Sequence, residues 1–147
     1  MAANCLLQHG HKQIAFVSPP DIDNGVIHHR LSGFTDTLLK NGISADKLHR
    51  FVLLSDNDPA AASIDALYSL RHEITAVFAT SDHLAARLIG DLSERGIRIP
   101  DELSVIGYDN MSICTQIYPH LTSIAQDLHQ KAVVAVEILQ RQLENPS

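Results

Sequence analysis

Apolar residues recur along this chain in two rhythms, one suited to strands and one to helices. Residues 12–18 (KQIAFVS) form a short apolar run closed by Pro19-Pro20, which predicts a buried strand. A polar loop over 21–25 follows. Ile27, Leu31, Phe34 and Leu38 then recur three and four residues apart, the stripe of an amphipathic helix. Asn41-Gly42 predicts its end, because glycine accepts the left-handed backbone found just past a helix. Residues 51–54 predict a second strand. Asp58-Pro59 predicts the start of a helix reaching about Leu70, since Asp caps free backbone N–H groups and Pro at the first helical position loses no hydrogen bond. Residues 76–79 (AVFA) predict a third strand. Ser81 or Asp82 then caps a helix with apolar positions Leu84, Ala85, Leu88, Ile89 and Leu92, ended by Gly96. Residues 103–108 predict a fourth strand, 109–120 an irregular stretch and 121–125 a short crossing strand. Asp127 caps a final helix over about 128–143.

This alternation of strand and helix predicts an α/β fold with a parallel sheet flanked by helices. Parallel sheets bind ligands in the crevice beyond the carboxyl ends of their strands. That rule singles out residues 18–25, 80–82 and 108–110, and the last two contain Asp82 and Asp109.

Charge narrows the partners. The chain has 147 residues, 45% of them hydrophobic and 19% charged, an ordinary balance for one compact domain or a domain and a piece of a second. Its formal net charge is -6. The basic residues Lys12, Arg30, Lys40, Arg50, Arg71 and Arg87 stand singly, without the stripe that neutralises phosphates. Direct DNA contact through this segment is therefore not expected. Cys5 and Cys114 lack zinc-ligand spacing and are expected to be reduced, partly buried thiols. No charged segment precedes a long apolar run, so the expectation is a cytoplasmic protein without membrane contact.

The common catalytic signatures are missing. The chain has no GxxxxGK[ST], GxGxxG or GxSxG, which removes the local chemistry of nucleotide, dinucleotide and serine-hydrolase sites. His9-Gly10-His11 and His28-His29 lack the spacing of a metal site, and no metal or cofactor is expected. Asp82 and Asp109 as an acid/base pair would need a nucleophile that cannot be named, so no enzyme activity is expected. Each candidate also has a plainer role open to it. Asp82 can be a helix cap, Arg30 a solvated helix-face arginine, and Tyr108 strand-end packing.

Five segments carry a resemblance. Residues 99–110 (IPDELSVIGYDN) closely resemble the "vP-D-isViGfD" segment of the lactose/galactose-repressor family, and residues 119–126 (PHLTSIAQ) its "P-pLTTi-q". Upstream, residues 10–15 (GHKQIA) match "GH-rIa", residues 30–34 (RLSGF) match "R-xx-Gf", and residues 76–85 (AVFATSDHLA) match "aifa-nD-xA". They occur in the family's order and spacing and cover almost the whole chain.

The resemblance implies a periplasmic-binding-protein-like C-terminal subdomain over residues 1–121. Residues 122–147 would be a crossover strand and a helix belonging to an N-terminal subdomain, with the helix-turn-helix headpiece absent from this chain. It implies an effector, a sugar or related polyol or a nucleobase, clasped between subdomains, and operator DNA held by the missing headpiece. Arg30, Asp82 and Asp109 match the family's effector contacts. Ser81 stands where the family usually has Asn and presents a shorter side chain with one donor. Gln126 matches a position near the subdomain junction. The helix over 83–95 would form a homodimer contact in which Ala86 and Gly90 permit close approach, though such small residues can equally pack within the subunit. The implied function is effector binding and dimerisation in an allosterically controlled transcriptional repressor. The alternatives are a periplasmic-type sugar-binding protein of a transport system, which shares the fold, and an enzyme on a doubly wound sheet.

Overall fold

The computed structural model describes residues 1–20, 25–53 and 61–144. The polar loop expected over 21–25 lies almost wholly outside them, as do Leu54 and the Asp58-Pro59 helix start. The helices are α1 (Ala2–Gln8), α2 (Val26–Lys40), α3 (Ala61–Ser69), α4 (Asp82–Glu94), α5 (Ile113–Gln116) and α6 (Leu128–Glu144). The strands are β1 (Ile14–Ser18), β2 (Leu48–Val52), β3 (Ala76–Ala79), β4 (Ser104–Asp109) and β5 (Thr122–Ala125). They form one five-stranded sheet in the order β2-β1-β3-β4-β5. Every pairing is parallel. The predicted fold class is borne out.

β1 and β3 are buried at every residue, which accounts for their continuous apolar runs. Alternate side chains feed opposite faces of the sheet. Ile14, Phe16, Ala76, Phe78 and Ile106 meet Ala2, Ala3, Leu6, Phe34 and Leu38 of α1 and α2. The rings of Phe16, Phe34 and Phe78 lie 5.1–5.8 Å apart there, in the range of favourable aromatic pairs. On the other face Ala15, Val17, Val77, Ala79 and Val105 meet Ile64 and Leu67 of α3 and Ala85, Leu88, Ile89 and Leu92 of α4.

Several boundaries differ from the sequence expectation. The second strand starts earlier, at Leu48, because an edge strand exposed on one side carries polar His49 and Arg50 and lacks an apolar run. α1 and α5 were not anticipated. They have seven and four residues, too few to display a helical period. The stop at Gly96 is as expected: φ is 85°, and Ile97 N–H donates back to the Leu92 carbonyl at 3.0 Å.

β5 continues the sheet beside β4, and α6 leaves it with no buried residue. No helix among the described residues is long and apolar enough to cross a membrane.

Candidate functional site

The carboxyl ends of β1, β3, β4 and β5 share one edge of the parallel sheet. Arg30 reaches this edge from the second turn of α2. Its Nη1 donates to the Thr80 carbonyl at 2.6 Å, and its guanidinium carbon lies 4.0 Å above the Tyr108 ring. A cation over an aromatic face is held by the ring's quadrupole, and the planar guanidinium keeps further N–H donors. Tyr108, expected as packing, is thus the platform for Arg30. Both line a groove of about 350 Å³ with Phe34, Phe78, Ile124 and Ala125.

Asp109 ends β4, one residue beyond Tyr108, opposite Ala125 in the register. Gln126 follows Ala125, and its Nε2 donates to Asp109 Oδ1. Asp109 and Asn110 have φ of 111° and 56°, in the left-handed half of backbone space. Non-glycine residues rarely stay there unless surrounding structure holds them.

Asp82 occupies a different place. It is 0% exposed. Met111 N–H donates to its Oδ2 at 2.6 Å, and the Ser123 hydroxyl donates to its Oδ1 at 2.5 Å. Ser123 Oγ in turn accepts from Asn110 N–H at 3.0 Å. Gly107 has no side chain because a Cβ there would collide with Asp82 Oδ1 and lie 2.9 Å from Leu121 Cδ2. Burial, and then the adjacent Asp82 carboxylate, pushes the Cys114 thiol above its ordinary value. The cap of α4 is Ser81, whose Oγ accepts from Leu84 N–H at 3.3 Å.

The structure therefore brings Arg30, Asp109 and Gln126 to one edge and sets Asp82 behind the turn that follows Asp109. The Ser81 oxygen caps its helix, and its hydroxyl keeps a proton to donate. Ala86 is half-buried on α4 and Gly90 exposed, with no atom within 4 Å of where a Cβ would stand. Sequence reasoning missed Ser123, for which the signal was a hydroxyl inside the strand TSIA. Thr80 lies in the 80–82 stretch singled out from the sequence, and its carbonyl serves Arg30.

A second cavity, of about 220 Å³, lies at the amino ends of β4 and β5 and is lined by Cys5, His9, His11 and His120 among others. His9 Nδ1 pairs with the Cys5 carbonyl and His11 Nδ1 with Thr75 Oγ1. Among the described residues no three such groups are placed to hold a metal ion. Both cysteines are free, Cys5 half-buried and Cys114 buried.

Residues 3–147 match the periplasmic binding protein-like domain. The chain belongs to that family. Among relatives of this periplasmic binding protein-like chain, the HTH-type transcriptional repressor PurR of Vibrio atlanticus is 32% identical over 145 residues, covering 99% of this chain and 43% of the repressor. Among solved structures, a LacI family transcriptional regulator from Enterococcus faecium with bound ribose aligns with a TM-score of 0.76 and 33% identity, covering 99% of this chain and 53% of that one. The lac repressor dimer bound to operator and the anti-inducer ONPF aligns with a TM-score of 0.76 and 27% identity, covering 97% and 48%. The resemblance drawn from the five motifs is borne out along the chain. The chain spans less than half the length of the curated relatives it matches.

Proposed function

We propose that this chain is the effector-binding and dimerisation part of a DNA-binding transcriptional regulator whose operator affinity is set allosterically by a small polyol, a sugar foremost. The observation that carries this reading is the gathering of Arg30, Asp109 and Gln126 at the carboxyl edge of a parallel sheet. Sugar hydroxyls both donate and accept. A guanidinium with spare donors and a carboxylate with a spare oxygen match them, and Tyr108 adds a ring beneath.

Similarity to repressors over nearly the whole chain favours this reading over the transport alternative and over an enzyme. The net charge of -6 assigns operator contact to another part of the regulator. Residues 1–121 form the C-terminal subdomain in this scheme, and 122–147 cross to the N-terminal one. Closure of the two on the effector then shifts the population between forms of different DNA affinity. The homodimer forms through α4, where Gly90 leaves open space. The regulator works in the cytoplasm.

Hydrogen bonds to a charged group contribute about 1.5–3 kcal/mol each. Asp109→Ala in the intact protein is therefore expected to weaken effector binding by about tenfold or more. Titration calorimetry with ribose and a panel of related sugars measures it. An unchanged affinity removes Asp109 from the site. The sequence upstream of residue 1 separates the two main functions, since a helix-turn-helix supports repression and a signal peptide supports transport.

A further inference from the structure

The turn that begins at Asp109 is bonded to residues distant in sequence. Two successive non-glycine residues, Asp109 and Asn110, keep positive φ. The support comes from elsewhere in the chain. Asn110 N–H donates to Ser123 Oγ, and the Ser123 hydroxyl donates to Asp82 Oδ1. Met111 N–H donates to Asp82 Oδ2. The chemistry fixes the direction of this relay. A hydroxyl has one proton, which goes to the carboxylate, so its lone pair takes the Asn110 amide. Both carboxyl oxygens of Asp82 accept, and the Cys114 thiol bonds to the same group. Asp82 has no exposed surface, so no solvent can replace either partner.

We propose that Ser123 and Asp82 are positioning residues that hold the residue 109–111 turn in its observed shape and fasten it to the start of α4. The inference rests on Asp109 being an effector contact, and it adds a route from that contact to the proposed dimer helix. Asp82 is the first residue of α4, Ser123 lies in β5, and the turn leaves β4. One buried carboxylate therefore joins the effector edge, the crossover strand and α4. A displacement of Asp109 on binding is passed to α4 through the two hydrogen bonds on Asp82.

Hydrogen exchange on the intact protein tests this without a ligand. Ser123→Ala is expected to speed exchange in peptides spanning residues 108–113 and 82–86 by about tenfold, with β1 and β3 unchanged. Ser123→Thr, which restores the hydroxyl, is expected to restore protection. Unchanged exchange in those peptides overturns the proposal. Equal acceleration in β1 and β3 overturns it too, as does failure of Thr to rescue. With ribose as the probe, Ser123→Ala is expected to weaken binding about tenfold and Ser123→Thr to recover it. A wild-type protein that takes up no ribose counts against the sugar reading alone, because exchange in the turn judges the positioning role independently.

Discussion

Gly107 and Asp82 compete for the same space, and the glycine concedes it. A methyl group at position 107 meets a buried carboxylate on one side and the Leu121 side chain on the other. Neither can retreat, since Asp82 is tied by two hydrogen bonds and Leu121 is packed in the core. Gly107→Ala is therefore expected to lower unfolding stability by about 1–3 kcal/mol, the usual cost of overpacking. Urea unfolding of the variant against the parent measures it, and an unchanged midpoint means the turn gives way freely. A second residue-scale effect concerns protons. Burial, and then the neighbouring His9, lowers the His11 pKa from its ordinary 6.5. Below 6.5 the unfolded chain then binds a proton that the folded chain resists. The stability contributed by neutral His11 is present above that value and is lost as pH falls toward the lowered one. His11→Gln is expected to flatten the fall in urea midpoint between about pH 7 and pH 5.5. An identical slope in the variant refutes the assignment.

At the scale of elements, α4 shows how one helix serves two surfaces. Ala85, Leu88, Ile89 and Leu92 are buried against the sheet, as their spacing predicts. Gly90 sits on the opposite side, exposed, in mid-helix. Glycine there costs about 0.5–1 kcal/mol relative to alanine, so Gly90→Ala is expected to raise subunit stability by that amount. The same change is expected to loosen the homodimer if α4 is its contact, because the added methyl enters the space between helices. Sedimentation equilibrium beside thermal unfolding reads both effects. A stabilised subunit with an unaltered dimer removes Gly90 from the interface. Legibility at this scale follows length and burial. β1 and β3 were plain in the sequence because two-sided burial makes every residue apolar, and α2 because one-sided burial imposes a period over 15 residues. α1, α5 and the register of β2 were not, because a short helix or a half-exposed edge strand sets too few positions to form a pattern.

For the whole molecule, the element that matters most is a helix with no buried residue among those described. α6 buries no residue, and Leu128, Val136, Leu139 and Leu143 are more than half exposed, at 67%, 53%, 58% and 81%. An apolar stripe of this length normally meets a partner surface. In the proposed anatomy that surface is the N-terminal subdomain. In the intact regulator, amides of α6 are expected to exchange nearly as slowly as those of β1, whereas here no residue of the helix is buried. Fast exchange of α6 in the intact protein would argue for a different course of residues 122–147.

The order of elements, the parallel sheet and the edge at which ligands gather are written locally. Each depends on spacings of two to four residues and on turn-forming Gly, Pro and Asp, which any stretch of chain displays by itself. In the family resemblance Arg30, Asp82 and Asp109 form one group of equals. Their separation needed the folded molecule. Whether a carboxylate faces solvent or lies sealed in the core depends on partners far away in sequence, and for Asp82 these are the Met111 amide 29 residues on and the Ser123 hydroxyl 41 residues on. No periodicity encodes such partners. Tertiary packing set the Arg30 guanidinium on Tyr108 and buried Asp82 behind the turn, because it alone fixes which distant groups share a desolvated space.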